Sequence, residues 1–387
     1  MVSGTYLDHA ASTPMRPEAI EAMLPFLADH PGNPSGSHGG ARAAKTALEA
    51  AREIVAEVLG ARPNEIVFTA GGTEADNLAV KGGARAARRR GLDGVVTTAF
   101  EHKGVLAAAH RLEAEGFRVS EAGVTPTGLV DVADLAGKLD TGTALVSVMA
   151  VNNELGTIQP LPDIAAAVRA HAPQALLHTD AVQAVPWVDV AILAGGWDLV
   201  AISGHKFGGP KGVGVLVVRG GVPLDAEIEG GGQERGIRAG TVNVAGVVAL
   251  ATALAITHER RSEETRRIGA LRDRLRDGLL AAVPGAFVNG APDSTTAGHL
   301  HVGFPGVESE ALLVMMDQRE LFAAAGSSCS SGATEISHVL VAMGMDRDAA
   351  TSSIRLSLGY ASTDADVDTA LAVIPRAVAQ LRAPVRT

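Results

Sequence analysis

"LVAISGHKFGGPKGVGVLVV", residues 199–218, sets an apolar run, a lysine among glycines and a second β-branched run side by side. Neither run alternates apolar with polar residues, so each reads as a strand buried on both faces. Similar short runs recur upstream: "EIVFTA" (65–70), "GVVTTAF" (94–100), "ALVSVMAV" (144–151) and "ALLHTDA" (175–181). Helical patterns separate several of them, among them "TEADNLAVKGGARAARRR", "KGVLAAAHRLEAEG" and "LPDIAAAVRAHA". Strand–helix–strand alternation with apolar strands predicts an α/β fold, a mainly parallel sheet covered by helices. In such sheets ligands sit beyond the carboxyl ends of the strands, and the polar clusters of this chain fall there.

The pattern changes after about residue 242. "VNVAGVVALATALAITHERRSEETRRIGALRDRLRDGLLAAV" predicts one long helix, or two joined, polar in its middle and spanning two lobes. Beyond it "HLHVGFPG" and "SIRLSLGY" read as strands, with helices at "ESEALLVMMDQRE", "SHVLVAMG" and from "TDADVDTALAVIPRAVAQL".

The 387 residues suit two domains, or one large α/β unit with an added lobe. A hydrophobic content of 47% with only 3% aromatics leaves the packing to alanine, valine and leucine. The formal charge of -10 argues against a general nucleic-acid binder. A single cysteine excludes an internal disulfide. "MVSGTYLDHAASTP" has no basic segment followed by an apolar one, so no signal peptide is expected. The longest apolar runs, such as "VAGVVALATALAI" (244–256), fall short of a membrane span. The expectation is a soluble cytoplasmic protein.

Three stretches carry chemistry. "TAGGTEADN" (69–77) is a strand end, a glycine pair and a helix start. Glycines let backbone approach an anion and helix-end N–H groups bind it, although the same stretch also reads as a tight turn with Thr73 as N-cap. No lysine follows the second glycine, so it is not a Walker loop. "HTDAVQA" (178–184) puts Asp180 at the end of an apolar strand. A buried aspartate needs a cationic or hydrogen-bonding partner, such as a protonated pyridine nitrogen, or else it caps the following turn. Lys206 follows Ser203 and His205 and precedes "FGGPKG", where bulk is minimal. A lysine in a crowded, desolvated site has a lowered pKa and can form a Schiff base; alone, it would read as a surface lysine in a turn. Asp180 at a neighbouring strand end favours the first reading. A pyridoxal cofactor needs a lysine for its aldehyde and an aspartate to keep its ring nitrogen protonated.

These stretches occur in order with "YLDHAASTP" (6–14), "GNPSGSH" (32–38), "FTAGGTEADNLAVKG", "EHKGVL" (101–106), "VNNELGT" (151–157), "GGGQERGIRAGT" (230–241) and "SSIRLSLG" (352–359). Together they resemble the cysteine desulfurases of the class V aminotransferase group, fold-type I pyridoxal 5'-phosphate enzymes, over nearly the whole chain. The resemblance implies a large domain over 16–260 with a seven-stranded, mainly parallel sheet. It implies a smaller α+β domain from 1–15 and 261–387. It implies that Lys206 carries the cofactor, that His102 stacks on its ring and moves protons, and that Asp180 meets the ring nitrogen. Gln183 would lie near the phenolic oxygen. Gly72, Thr73, Ser203 and His205 would form the phosphate cradle, with Thr241 donated by the second subunit of a homodimer. Asn153 would touch cofactor and substrate, and Arg355 would pair with the substrate carboxylate, which a planar guanidinium suits.

The lone cysteine lies in "AAAGSSCSSGATE" (323–335), among serines and glycines. By the resemblance Cys329 is the nucleophile of the subgroup with the long catalytic loop. It would take sulfur from L-cysteine as a persulfide, leave L-alanine, and pass the sulfur to an acceptor protein. The destination could be iron–sulfur assembly, tRNA thiolation or DNA phosphorothioation. The apolar lead "LFAAAG" departs from the subgroup and could pack as a strand. The chain also stops at "RAPVRT" without the further tail that often meets the iron–sulfur scaffold. A selenocysteine lyase or another class V lyase is the enzyme alternative, and a non-catalytic scaffold for sulfur-transfer partners the alternative of another class.

The remaining features read as structural. His299 and His301 have metal-ligand spacing but no third ligand nearby, so no metal is expected. Arg235 and Arg238 belong to dimer or cofactor-loop contacts, "RRR" (88–90) to a solvated helix end, and Met315 and Met316 to the core.

Overall fold

A computed structural model of the chain describes residues 4–326 and 336–383. Its twelve strands are β1 (Thr5–Tyr6), β2 (Ile66–Thr69), β3 (Gly94–Thr98), β4 (Arg118–Ala122), β5 (Thr143–Ser147), β6 (Leu176–Asp180), β7 (Leu199–Ser203), β8 (Gly214–Val218), β9 (Phe287–Asn289), β10 (His299–Gly303), β11 (Leu321–Phe322) and β12 (Ser353–Ser357). The central sheet has seven strands in the order β2-β8-β7-β6-β5-β3-β4. Neighbours from β7 to β4 pair in parallel, and β8 runs antiparallel to both β7 and β2.

Both faces of this sheet are covered, as the unalternated strands predict. Ile66, Phe68, Val200 and Ile202 enter one hydrophobic core, while Val67, Leu199 and Ala201 enter another on the opposite face. Residues one apart point to opposite faces of a strand, so two cores need apolar residues at every position. β4 escaped the sequence reading because "RVSEA" lies at the sheet edge, where only Ala122 is buried.

The register puts the carboxyl ends of β2, β6 and β7 at one rim. Gly214, which opens the antiparallel β8, stands at the same rim, opposite Thr69 and Ser203. A Cβ on Gly214 would lie 2.6 Å from the carbonyl carbon of Gly71. Glycine there lets the loop after β2 close onto the sheet.

The segment Val244–Ala282 is a single helix of 39 residues, about 58 Å long. Its first half, with Ala249, Leu250, Ala253 and Leu254, packs in the central core; Ile268, Leu271, Leu275 and Leu279 belong to a second core. The polar middle is tied to its surroundings: both nitrogens of the Arg16 fork donate to Glu264, and Arg267 donates to the carbonyl oxygens of Ser362 and Tyr360. The second core lies under the antiparallel sheet β12-β10-β9 and the parallel pair β1-β11. The expected boundary at 260/261 falls inside the long helix, and Val339, Leu340 and Met343 of the expected smaller unit pack with the central core.

The apolar lead into the cysteine segment does pack as a strand. Leu321 and Phe322 pair with Thr5 and Tyr6, and Ala324 bridges to Arg355. Among the described residues no helix is long and apolar enough to cross a membrane.

Candidate active site

The turn after β2 brings Gly71 and Gly72 to the rim. Gly71 has φ +151°, which favours glycine, and a Cβ on Gly72 would meet Val182 at 2.9 Å and Ser203 at 3.4 Å. The helix that starts at Gly72 therefore presents its first turn close against the end of β7. Thr73 stands exposed beside it. Ser203 closes β7, and His205 and Lys206 follow in the turn Gly204–Lys206. An open recess of about 510 Å³ gathers Gly72, Thr73, Ser203, His205, Ser12 and Lys211. Burial, then Lys206 and Lys211, push the His205 pKa down to about 4, so its ring is neutral at physiological pH.

The recess adjoins a deeper cavity of about 250 Å³. Gly72, Thr73, His102, Asn153, Asp180, Gln183, Ser203, His205, Lys206 and Arg355 all line it, so the sheet rim brings together ten residues expected from sequence. Thr241 is exposed and outside this lining. Cys329 lies outside the described residues.

The N-terminal segment forms one wall. Lys206 Nζ donates to the carbonyl oxygens of Ala10 and Ala11, at 2.6 and 2.9 Å, and Gln183 Nε2 donates to Ala10 at 2.8 Å. His102 caps the helix Lys103–Ala114: its Nδ1 accepts from the Gly104 N–H at 3.0 Å. In its neutral form the ring therefore carries its proton on Nε2. On the small-sheet side Arg355 is 2% exposed, and its fork donates through Nη1 to the Asn153 carbonyl at 2.9 Å and through Nη2 to Asp8 Oδ1 at 2.7 Å.

Acids dominate the floor. Asp180 accepts from the Val182 N–H at 2.8 Å; burial raises its pKa, against the pull of His102, that N–H and Lys206. Asp76 is 1% exposed, and its Oδ1 has no hydrogen-bond partner among the described residues. Burial lifts its pKa well above the carboxylate range, and Asp180 and Glu101 lift it further. Glu101 accepts from Met149 N–H and Thr98 Oγ1, yet burial pushes its pKa up to about 8.

This donor set fits pyridoxal 5'-phosphate. Buried carboxyls held up in pKa suit a cationic ring nitrogen, which would offset their desolvation. The recess of helix-start backbone, hydroxyls and Lys211 suits a phosphate. Lys206, between recess and floor, offers an amine of the kind an aldehyde takes.

Sequence reasoning missed Asp76, Lys103, Met149 and His338 in the cavity wall. A signal for Asp76 existed: Ala79 and Val80, three and four residues on, are buried, so an acid stands on an apolar helical stripe. His338 has none, because a histidine opening a short helix is ordinary.

Outside the cavity, His299 and His301 are buried in β10 and use one nitrogen each locally, His299 with Thr296 at 2.7 Å and His301 with Asn289 at 2.9 Å. Burial pushes both pKa values down to about 3. Arg235 donates to the Ile66 carbonyl, and Arg238 pairs with Glu74. Arg88 lies over the Phe117 ring and Arg89 pairs with Asp225, so the basic run is a tethered helix end.

The family model for class V aminotransferases matches residues 5–370. An IscS-like cysteine desulfurase from Mycobacterium tuberculosis is 45% identical over 388 residues, covering 97% of this chain and 97% of the relative. Among solved structures, a NifS-like protein superposes with a TM-score of 0.91 at 37% identity, covering 97% of this chain and all of that one. SspA, solved in complex with cysteine, superposes with a TM-score of 0.80 at 32% identity, over 93% of this chain and all of that one.

Proposed function

We propose, from the premise that the chain belongs to the class V aminotransferase family and within it to the pyridoxal-phosphate-dependent cysteine desulfurases, the residue roles by which it turns L-cysteine into L-alanine. The observation that carries them is one cavity holding Lys206, Asp180, His102 and Arg355 beside the glycine-lined recess. A scaffold without catalysis would have no need of a buried acid floor opposite an amine.

Lys206 would hold the cofactor's aldehyde carbon, and Gly72, Thr73, Ser203 and His205 its phosphate. Asp180 would face the ring nitrogen, His102 the ring, Gln183 the phenolic oxygen and Asn153 both cofactor and substrate. When bound, pyridoxal 5'-phosphate supplies the electron sink that lets substrate carbon release a proton and sulfur. The chain's own groups do the rest. Arg355 orients the substrate by its carboxylate, since Asp8 and the Asn153 carbonyl already fix the guanidinium. Lys206 and His102, the latter through Nε2, would hold and move protons at the substrate carbons.

Cys329 is the proposed nucleophile. Its thiolate attacks the substrate sulfur: an S–S bond forms, the Cβ–S bond breaks, and the carbon takes a proton. L-cysteine and the Cys329 thiol thus give L-alanine and a Cys329 persulfide, with atoms and electrons in balance. An acceptor protein then takes the outer sulfur. The likeness to IscS-type relatives favours iron–sulfur assembly as its destination over tRNA thiolation or DNA phosphorothioation. It likewise supports desulfuration over selenocysteine cleavage. We place the enzyme in the cytoplasm as a homodimer in which the exposed Thr241 of one copy reaches the recess of the other. The division into a larger unit over 16–260 and a smaller one from 1–15 and 261–387 belongs to the same reading.

The test is direct. The purified protein with pyridoxal phosphate and L-cysteine should release L-alanine, and the peptide containing Cys329 should gain the mass of one sulfur atom. Alanine without sulfur on that peptide would count against the nucleophile.

A further inference from the structure

Asp76 has no part in the roles assigned so far, yet it stands inside the cavity. One carboxylate oxygen of Asp76, one of Asp180 and a ring nitrogen of His102 all lie within 4.8 Å of one another. Two ionised carboxylates at that separation, out of water, repel strongly, and one of them keeps its proton instead.

The surroundings decide which. Burial raises the Asp180 pKa, but His102, the Val182 N–H at 2.8 Å and Lys206 pull it back down. Asp76 faces Asp180 on β6 and Glu101 beyond β3, both acidic. Besides the His102 ring that it shares with Asp180, Asp76 faces His178, with Nε2 at 3.5 Å from Asp76 Oδ1. His178 is fully buried and burial pushes its pKa down to about 3, so it brings no positive charge. Its other nitrogen, Nδ1, is 2.8 Å from Ser147 Oγ. Neither Asp76 Oδ1 nor His178 Nε2 has a hydrogen-bond partner among the described residues. His178 and Asp180 lie two apart on β6 and so on the same sheet face. Ser147, His178, Asp76 and Asp180 thus form a buried row that leads from β5 to the cavity.

We propose that Asp76, seated against His178, is a neutral positioning acid that confines the cavity's negative charge to Asp180. This rests on the reading of Asp180 as the partner of the cofactor's ring nitrogen. With Asp76 neutral, the floor offers one full negative charge at one place, and a cationic ring nitrogen is drawn to Asp180 and not shared between two carboxylates. An ionised Asp76 would raise the proton affinity of Asp180 and blur that placement.

The experiment follows aspartate carboxyl carbons by NMR in the holoenzyme, labelled with 13C at the aspartate carboxyls. The Asp76 resonance is the one lost in Asp76→Asn; a shift of the same resonance in His178→Asn assigns it should the first variant not fold. It should hold the position of a protonated carboxyl from about pH 6 to 8. Asparagine copies a neutral acid in shape and polarity, so Asp76→Asn should bind pyridoxal phosphate within about threefold of the parent, while Asp76→Ala should weaken it about tenfold or more. A carboxylate-position resonance at neutral pH, or Asp76→Asn weakening the cofactor as much as Asp76→Ala, overturns the proposal. The resonance is also read in the cofactor-free protein. A parent that took up no pyridoxal phosphate would defeat the reading of the cavity while the Asp76 protonation state was still decided.

Discussion

Arg355 Nη2 lies 2.7 Å from Asp8 Oδ1, so a residue of the N-terminal segment holds a guanidinium of β12 in place. The same fork donates through Nη1 to the Asn153 carbonyl, which links the small sheet to the loop after β5. An arginine gripped in this way presents a preset edge to a carboxylate. Arg355→Lys keeps the charge but loses the fork. We expect kcat/KM for L-cysteine to fall about 10- to 100-fold, from the loss of a charge-assisted hydrogen bond worth roughly 1.5–3 kcal/mol. The loss should appear mainly in KM, with pyridoxal phosphate binding little changed. A full loss of cofactor in this variant would mean that Arg355 shapes the cavity and does not read the substrate.

Lys206 sets the next expectation. Its Nζ already lies in the cavity, against the Ala10 and Ala11 carbonyls. Borohydride should fix pyridoxal phosphate to the parent at this lysine, and Lys206→Ala should abolish both the fixation and the yellow colour. Turnover should fall by about 10³-fold or more, since a proton-moving group is lost together with the anchor. Peptide mapping that found the label on another lysine would reassign the anchor.

Asp180 is separable from Lys206 because it makes no covalent link. Asp180→Ala should retain some pyridoxal phosphate, held by the recess and Lys206, and lose most turnover. The ring nitrogen, left without its acid, is no longer kept protonated. An unchanged rate at saturating cofactor would remove Asp180 from the mechanism. The titration of Glu101 is also testable. Burial raises the Glu101 pKa from an ordinary 4.5 to about 8, so the folded state holds a proton there that the unfolded chain releases. That contribution is whole below about pH 4.5 and is lost as pH rises towards 8. The melting temperature of the parent, compared with Glu101→Gln, should therefore fall with rising pH across this window. A difference that stays flat would mean that Glu101 is ionised in the fold.

How far this site could be read from sequence depends on where each residue gets its neighbours. Asp180 and Lys206 stand at the ends of apolar strands, and the rim of a parallel sheet brings such ends together whatever the details of packing. Arg355 has no such marker: its neighbours come from residues 8 and 153, far away in the chain, and only the family resemblance singled it out. Asp76 was hidden differently. "TEADN" reads as a polar helix start, and the acid's burial follows from the helix pressing against β7 and β8. β4 lacked an apolar run because an edge strand needs none on its open side. The strand at Leu321–Phe322, by contrast, was visible as an apolar break in a segment otherwise rich in serine and glycine.

Cys329 is the sharpest test of the whole assignment. The strand β11 ties the lead into its segment to β1, and Ala324 exchanges backbone hydrogen bonds with Arg355 at 3.3 and 2.7 Å. The cysteine segment therefore starts from the backbone of the residue proposed to bind the substrate carboxylate. Cys329→Ser should leave the pyridoxal phosphate spectrum unchanged, because neither Lys206 nor the recess is altered. L-cysteine should still bind, through Arg355 and the cofactor site. Sulfur release should fall to background, because a neutral hydroxyl is a far poorer nucleophile towards sulfur than a thiolate. In the parent, brief incubation with L-cysteine should add one sulfur to the Cys329 peptide, and a reducing thiol should remove it. Replacing Ala323 and Ala325 with serine or glycine loosens the lead without touching Lys206, and should raise the rate if the anchored strand limits the thiol's reach. A Cys329→Ser protein that made alanine and sulfide at the parental rate would remove the thiol from the mechanism and move the chemistry towards direct elimination, as in selenocysteine cleavage.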